Sequence, residues 1–152
     1  MKILVFSDSH RFLSGMVQAI EEEKPDQVIH LGDLMGDAEE LSWRFQTLPI
    51  CMVPGNCDGW TTAPAIKRIT LQGRDILLSH GHLWGVKGGY DRAIGEARKS
   101  GVDILLFGHT HRACCQQLED GLWVMNPGAS RTSYGTILLE GDGISCTLTK
   151  LI

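Results

Sequence analysis

Apolar runs alternate with amphipathic segments over the first third of the chain. The apolar runs at residues 2–7, 27–31 and 49–53 predict short strands. Between them, residues 13–24 and 38–48 carry apolar side chains at helical spacing, which predicts two amphipathic helices. Strands that alternate with helices are typical of a parallel sheet with crossover connections. This part of the sequence therefore predicts a parallel sheet.

The second half of the chain carries hairpin signals instead. Three pairs of β-type runs flank glycine-containing turns: residues 66–72 with 75–78, 113–118 with 122–125, and 134–139 with 144–151. Turns such as Gly73-Arg74 predict antiparallel hairpins. A glycine-rich loop leads into a predicted helix at residues 90–99 and a buried strand at residues 103–107. We expect two packed sheets with helices outside, in one domain that spans residues 1–152.

Polar residues with ligand chemistry follow the predicted strands. In an extended segment, residues two apart point to the same side, so His109 and His111 can face one point in space. Ligands gather beyond the carboxyl ends of parallel strands. Five of the six histidines belong to this strand-end set, whereas His30 lies inside a predicted strand, where we expect a packed, hydrogen-bonded role. The strand-end set is Asp8, His10, Asp33, Asn56, Asp58, His80, His82, His109 and His111.

The strand-end set has the composition of a transition-metal site. Carboxylate, imidazole and amide ligands together suit divalent Mn, Fe, Zn, Ni or Co better than calcium, which prefers oxygen ligands alone. The set is too large for one tetrahedral ion. Two ions that share a bridging carboxylate, about 3.5–4 Å apart, would use it fully. Such a pair attracts an anionic phosphate ester and lowers the pKa of a bridging water to about 7, which supplies a hydroxide nucleophile.

Composition narrows the class of protein further. The chain of 152 residues has a formal net charge of −4 without a basic cluster, which disfavours a nucleic-acid-coating surface. It carries no apolar run near the roughly 20 residues of a membrane span, and its first residues do not resemble a signal peptide. The five cysteines are an odd number without a C-x-x-C motif, so we expect a reduced, cytoplasmic protein. Four of them are expected to be small buried hydrophobic side chains: Cys51, Cys114, Cys115 and Cys146.

Five motifs occur in a fixed order between residues 8 and 111. They are Asp8-Ser9-His10, Gly32-Asp33, Gly55-Asn56-Cys57-Asp58, Ser79-His80-Gly81-His82 and Gly108-His109-Thr110-His111. The ordered set resembles the calcineurin-like metallophosphoesterase superfamily, and Asn126-Pro127-Gly128 resembles a further loop of that family. The short chain is most similar to the small prokaryotic YfcE-type phosphodiesterase group. The resemblance implies a four-layer α/β/β/α sandwich of two mixed sheets flanked by helices.

The resemblance also implies a role for each motif residue. One ion would be bound by Asp8, His10 and His111, and the other by Asn56, His80 and His109. Asp33 would bridge the two ions, with Asp8 as a second candidate bridge. His82 would lie beside the ions and bind at most through its backbone carbonyl. Asn56, Arg11 and Arg131 are the candidate contacts to the substrate phosphate, and a solvated surface position is the alternative for both arginines.

Cys57 departs from the pattern of many superfamily members. They carry a histidine there, which is thought to protonate the leaving group and to be oriented by the acid at the position of Asp58. A thiol with a pKa of about 8.5 is a poorer proton donor at neutral pH. We therefore expect weak activity on alkyl phosphomonoesters and better activity on esters with stable leaving groups. Asn56, Cys57 and Asp58 are the catalytic candidates.

These expectations combine into one leading hypothesis with stated alternatives. The leading hypothesis is a phosphodiesterase with two divalent ions per chain, Mn²⁺ foremost and Ni²⁺, Fe²⁺, Co²⁺ or Zn²⁺ as alternatives. Its substrate would be a small phosphodiester, without a stable nucleic-acid complex or a membrane, and base rates favour a homodimer. The alternatives are a phosphomonoesterase, a mononuclear metallohydrolase and a non-catalytic scaffold like the eukaryotic retromer subunit. Tryptophans are candidates for a partner surface, although core or pocket positions are favoured for each of Trp43, Trp60, Trp84 and Trp123.

Overall fold

Two mixed five-stranded sheets pack face to face in the computed structural model, which describes residues 1–151. The first sheet has the spatial order β10-β9-β1-β2-β3, made of β1 (Lys2–Phe6), β2 (Gln27–His30), β3 (Ile50–Met52), β9 (Ser133–Glu140) and β10 (Gly143–Lys150). The second has the order β4-β5-β6-β8-β7, made of β4 (Ile66–Leu71), β5 (Arg74–Ser79), β6 (Ile104–Leu106), β7 (Cys114–Gln117) and β8 (Trp123–Asn126). The predicted domain boundary at residue 152 lies outside the described residues.

Helices cover the outer face of each sheet. Helices α1 (Ser14–Glu23) and α2 (Met35–Arg44) pack on the first sheet, and α3 (Asp91–Ser100) packs on the second. Two 3₁₀ turns, His82–Trp84 and Val86–Gly88, lie beside α3. The layers therefore follow the order α/β/β/α, which confirms the predicted fold class. No helix in residues 1–151 is both long and apolar enough to cross a membrane.

The alternation of side chains along the strands explains the layers. In β1, Ile3 and Val5 enter the core between the sheets, while Leu4 and Phe6 face α1 and α2. Successive side chains of a strand point to opposite faces, so a strand that is apolar throughout is buried on both faces. Strands β1 and β2 of one sheet and β5, β6 and β8 of the other are buried in this way near their carboxyl ends, whereas the edge strand β3 is half-buried.

Three predicted boundaries differ from the structure. Helix α2 begins at Met35 rather than at residue 38, because the carboxylate of Asp58 accepts a hydrogen bond from the Met35 amide (2.7 Å) and caps the helix from a distant loop. It ends at Arg44 rather than at residue 48. The first hairpin turns at Gln72-Gly73, with φ of 48° and 76°, rather than at Gly73-Arg74. These positive φ values are those of the tight turns that suit a two-residue hairpin.

Several predictions about burial are also settled. Trp84 is buried and Trp123 packs against the central core, but Trp43 and Trp60 are 77% and 91% exposed, so a core position is wrong for both. Trp43 lines only a shallow surface depression. Cys146 is buried as expected, whereas the other three cysteines of that group are half-buried. All five thiols are free within the described residues. His30 is fully buried and hydrogen-bonded, as predicted.

Candidate metal centre

The carboxyl ends of strands from both sheets meet at one edge of the sandwich. Asp8, His10 and Asp33 follow β1 and β2 of the first sheet, whereas His80, His109 and His111 follow β5 and β6 of the second. The site is therefore built across the two sheets. Six of the seven predicted ligands come together there: Asp8, His10, Asp33, His80, His109 and His111.

Two overlapping groups of side chains have the geometry of metal ligands. The outer group is Asp8, His10 and His111, in which Asp8 Oδ1 lies 3.2 Å from His111 Nε2 and 3.9 Å from His10 Nε2. The inner group is Asp8, Asp33 and His80, in which His80 Nε2 lies 3.3 Å from Asp33 Oδ2 and 3.7 Å from Asp8 Oδ1. Asp8 belongs to both groups, so the geometry favours it as a shared ligand beside the expected bridge Asp33.

A buried oxygen in this cluster calls for a cation. Asp8 Oδ1 is buried and accepts no hydrogen bond, although three imidazole nitrogens lie within 4 Å of it. His80 Nδ1 donates to the carbonyl of Leu31 (2.8 Å), which leaves Nε2 aimed at the carboxylates of Asp8 and Asp33. A lone pair that faces carboxylate oxygens is repelled unless a cation lies between them. The donor set therefore fits divalent ions.

The remaining predicted ligands lie around this pair of groups. His109 Nδ1 is 3.2 Å from His80 Nε2, and the His109 amide donates to Asp8 Oδ2 (3.0 Å). His82 packs beside both rings, and its Nδ1 is buried without a partner. Asn56 is exposed on the loop after β3, and its amide contacts Cys57 Sγ (3.6 Å).

Burial and charge set the proton affinities of the site. Burial disfavours ionisation of Asp33, but hydrogen bonds from His80 and the Cys57 amide outweigh it and hold the pKa of this carboxyl well below its usual range. Burial likewise disfavours protonation of His80, but Asp33 and Asp8 outweigh it and raise its pKa. Hydrogen bonding to Asp33 raises the pKa of the Cys57 thiol. The inner group therefore combines an ionised carboxylate, Asp33, with an imidazole, His80, whose affinity for a positive charge is raised.

The pKa values of the two outlying histidines, His82 and His109, are lowered rather than raised. Burial, followed by the charges of His80 and Lys87, lowers the pKa of His109. Burial and the charge of His80 also lower the pKa of His82. Both rings are consequently neutral near pH 7, which is the form that can offer a nitrogen lone pair to a metal.

The backbone of the site is held in an unusual conformation. Eight non-glycine residues of the described chain have positive φ, and six of them lie at the site: Asp8, His10, Arg11, Asp33, His109 and His111. Such conformations are costly and persist where the surrounding structure determines them. Gly55 and Gly108 allow this crowding, because a Cβ would meet the carboxylate of Asp33 at Gly55 and both Ser7 Oγ and the carboxylate of Asp8 at Gly108.

Asp58 holds the loops of the inner group together. Its carboxylate accepts hydrogen bonds from the amides of Asp33 (3.0 Å), Met35 (2.7 Å) and Gly55 (2.7 Å). Three amide donors occupy the side chain, so in this structure Asp58 connects the loop after β2 to the loop after β3. The sequence motif placed Asp58 among the catalytic candidates but did not reveal these contacts.

A buried relay supports the outer group from behind. The Gly32 amide donates to His30 Nδ1 (3.1 Å), His30 Nε2 donates to Ser9 Oγ (2.9 Å), and Ser9 Oγ donates to Asp37 Oδ2 (2.5 Å). Asp37 also accepts from the amide of Arg11 (2.7 Å). The relay ties the loop of Asp8 and His10 to the loop of Asp33. Sequence reasoning missed Asp37, although its position one turn before the buried Leu41 was a usable signal.

The two candidate phosphate-binding arginines lie on the rim of the fold. Arg131 is exposed and stacks over the ring of Phe12, with its guanidinium carbon 4.7 Å from the ring centroid. Arg11 is exposed, with φ of 71°. Neither guanidinium forms an ion pair among the described residues, so both charges stay available to a ligand.

A carboxylate–imidazole cluster at the strand ends of an α/β/β/α sandwich is typical of a metal-binding class of protein. A comparison with known protein families identifies one superfamily within that class. Residues 1–139 match the model described as "Calcineurin-like phosphoesterase superfamily domain", and the chain belongs to this superfamily. The resemblance inferred from the five motifs is thereby confirmed.

Individual relatives agree with this assignment. A Bacillus subtilis protein called probable metallophosphoesterase YsnB is 35% identical, over 93% of this chain and 86% of the relative. Vps29 of Chaetomium thermophilum superposes with a TM-score of 0.82 at 22% identity, covering 99% of this chain and 89% of that one. The phosphoesterase YfcE of E. coli superposes with a TM-score of 0.67 at 22% identity, covering 95% and 91%. The two structural likenesses show a shared fold.

Proposed function

We propose that this protein is a phosphodiesterase that uses two divalent metal ions, Mn²⁺ foremost. The observation that carries the proposal is the shared carboxylate of Asp8, whose buried Oδ1 has no hydrogen bond and belongs to both ligand groups. One carboxylate shared by two ligand groups is the arrangement that two-metal sites use. The substrate would be a small phosphodiester, and it would reach the metal groups directly from solvent, because they lie at an open edge with exposed histidines.

The residues of the site divide the work between binding and orientation. Bound divalent ions would supply neutralisation of the phosphate charge and activation of a water as nucleophile. Asp8, Asp33 and His80 would hold the inner ion, and His10 and His111 would complete the outer position with Asp8. The Leu31 carbonyl accepts a hydrogen bond from Nδ1 of His80, so that Nε2 would be the ligand atom. Asp58 acts as a positioning residue through the amides of Asp33 and Gly55.

Cys57 and Asn56 would face the substrate on the exposed side. Asn56 is exposed next to Cys57, and its amide can donate to a phosphate oxygen. The raised pKa of the Cys57 thiol keeps it protonated at neutral pH, but a thiol is a weak acid and gives little help to an alkoxide leaving group. Esters with stable leaving groups would therefore react fastest, and monoesters of simple alcohols slowest.

Turnover of two chromogenic esters tests the proposal. The metal-free protein is supplied with Mn²⁺ and assayed on bis(p-nitrophenyl) phosphate and on p-nitrophenyl phosphate, with bound metal measured by elemental analysis. We expect two ions per chain and faster turnover of the diester. The variant Cys57→His should raise the rate on an alkyl monoester such as glycerol 2-phosphate relative to that on p-nitrophenyl phosphate, whose leaving group needs no proton, while the matched control Cys57→Ser should not. One ion per chain, or a faster reaction of the monoester, would contradict the proposal.

A scaffold role is the second candidate. Its supporting observation is Trp60, which is 91% exposed only two residues after Asp58 and could contact a partner protein at the mouth of the site. A scaffold needs no turnover. Absence of hydrolysis of either ester by protein that binds two ions per chain would favour this candidate over the phosphodiesterase.

A further inference from the structure

A cavity of about 520 Å³ adjoins the metal centre on the side of the second sheet. Its walls are the 3₁₀ turn Val86–Gly88 with Gly89 and Tyr90 on one side, and Thr110 and Arg112 on the other. Thr110 lies between His109 and His111, so one short turn supplies ligands to the metal centre and a wall to the cavity. The volume is that of a small-molecule site.

The charge of the cavity is opposite to that of the protein. The chain has a formal net charge of −4, yet the lining includes Lys87 and Arg112 and no carboxylate. Among residues 1–151, neither Lys87 nor Arg112 has a carboxylate oxygen within 4.0 Å. The lysine and arginine side chains that do form ion pairs there are Lys2, Arg68, Arg98 and Lys99. Two exposed cations without acidic partners attract an anion, and a phosphate group is the anion that a phosphoesterase meets.

Both walls are held in place from behind. Val86 is buried and Tyr90 is partly buried against the cluster that includes α3, so Lys87 is carried on a segment that is anchored on both sides of it. On the opposite wall, Asn126 Nδ2 donates to Thr110 Oγ1 (2.9 Å), and the Arg112 amide donates to the same oxygen (3.0 Å). Charges on fixed backbone lose less entropy when they bind a ligand than charges on mobile loops.

We propose that this cavity, which we call the anion subsite (Lys87 and Arg112, with Gly88, Tyr90 and Thr110 as walls), binds a second phosphate of the substrate. The substrate would be a phosphodiester with a further phosphate on one of its two ester arms. The diester phosphate lies at the metal centre, and the arm passes Thr110 to place its own phosphate between Lys87 and Arg112. This proposal rests on the phosphodiesterase function and specifies its substrate class.

A matched pair of substrates tests the anion subsite. Both are p-nitrophenyl phosphodiesters with a propyl arm, which ends in a hydroxyl in one and in a phosphate in the other. The readout is the ratio of kcat/KM for the two, because both use the same metal centre and any change in metal affinity cancels. We expect wild-type protein to prefer the phosphate-ended arm by about tenfold, the size of one charged contact near solvent.

Three variants and one control test whether the preference for the phosphate-ended arm depends on the anion subsite. Lys87→Gln and Arg112→Gln should each reduce the ratio several-fold. Gly88→Leu should also reduce it, because Gly88 lines the cavity and a Cβ there would meet nothing beyond its chain neighbours within 4 Å. The control Lys99→Gln removes the same charge from the exposed end of α3 and should leave the ratio unchanged. Equal kcat/KM on the two arms in wild type, or an equal decrease in Lys99→Gln, would overturn the proposal.

A binding measurement, which needs no turnover, distinguishes failure of the anion subsite from failure of the proposed phosphodiesterase function. Inorganic pyrophosphate is titrated calorimetrically into chelator-treated, metal-free protein, and we expect binding that weakens at least about fivefold in Lys87→Gln and not in Lys99→Gln. If neither ester is hydrolysed, the proposed phosphodiesterase function fails, and this titration decides the anion subsite alone. Unchanged pyrophosphate binding in Lys87→Gln would then overturn it. Pyrophosphate binding combined with equal kcat/KM on the two arms would indicate a separate anion site rather than a substrate subsite, and would also overturn it.

Discussion

The inner and outer ligand groups share Asp8 but differ in their contact with water. The side chains of His80 and Asp8 have no exposed surface and that of Asp33 has 3%, whereas the side chains of His10 and His111 are 43% and 52% exposed. Electrostatic attraction is stronger where water is excluded. An ion in the inner group would therefore be held tightly, and an ion in the outer group would exchange with the solution. The difference teaches that two adjacent positions can have different affinities although their ligand types are alike.

Replacement of the shared ligand should have the largest effect. In Asp8→Asn the shape and the hydrogen bonds to Oδ2 can be kept, but the charge that serves both groups is lost. We expect bound metal to fall from two ions per chain to none and kcat/KM to fall at least about a thousandfold. Elemental analysis and the diester assay measure both. Asp120→Asn, in an exposed turn, is the control, and a variant of Asp8 with two bound ions would contradict the shared site.

Replacement of Asp33 should separate the two groups. The variant Asp33→Asn can still accept the Cys57 amide through Oδ1, so it removes charge with little change of shape. We expect turnover to be lost and bound metal to fall to about one ion per chain, retained by the outer group. Normal activity in this variant would count heavily against a two-ion mechanism.

A pair of histidine variants compares the groups directly. His80→Gln should lower metal affinity and also lower the free energy of unfolding of the metal-free protein by about 1–3 kcal/mol, since the buried Leu31 carbonyl loses its donor. His111→Gln should lower metal affinity by at least about tenfold and leave unfolding almost unchanged. Added Mn²⁺ should restore activity in His111→Gln but not in His80→Gln. Equal behaviour of the two variants would remove the distinction between the groups.

Acid should weaken the fold through His30, in the buried relay behind the outer group. Burial comes first among the causes that lower the pKa of His30 from 6.5 to about 4. Between these values the unfolded chain binds a proton that the native protein does not, so stability is full above pH 6.5 and decreases towards pH 4. The expected loss from this residue is roughly 3 kcal/mol. Urea unfolding of metal-free protein at several pH values measures it, and His30→Gln, which cannot titrate, should show a smaller pH dependence.

The sequence predicted well which side chains meet in the cluster, because these residues follow strands in a fixed order. Apolar runs located the strands, and the residue types after them identified Asp8, Asp33, His80, His109 and His111. What joins the loops was less visible. The start of α2 depends on the carboxylate of Asp58, a hydrogen bond over 23 positions of sequence that no local periodicity can report.

Exposure was the weakest part of the sequence reasoning. Large aromatic side chains favour the interior on average, but their burial depends on which segments face outward in three dimensions. Trp43 lies on the solvent face of α2, and Trp60 lies in the loop after the Asn56 motif, where no sheet covers it. The anion subsite likewise depends on residues 87 and 112 being neighbours, which becomes visible only when β6 and the 3₁₀ turns are placed together.

The site draws its carboxylates from one sheet and most of its imidazoles from the other. Bound ions would therefore act as cross-links between the two halves of the sandwich, at an edge where the described chain has no disulfide to do so. Loss of the ions to a chelator would do more than remove the proposed catalytic group: it would remove the link between the carboxylates of the first sheet and the imidazoles of the second, and so loosen the contact between the layers. The stability of the contact between the two sheets would then depend on whether the metal ions are bound.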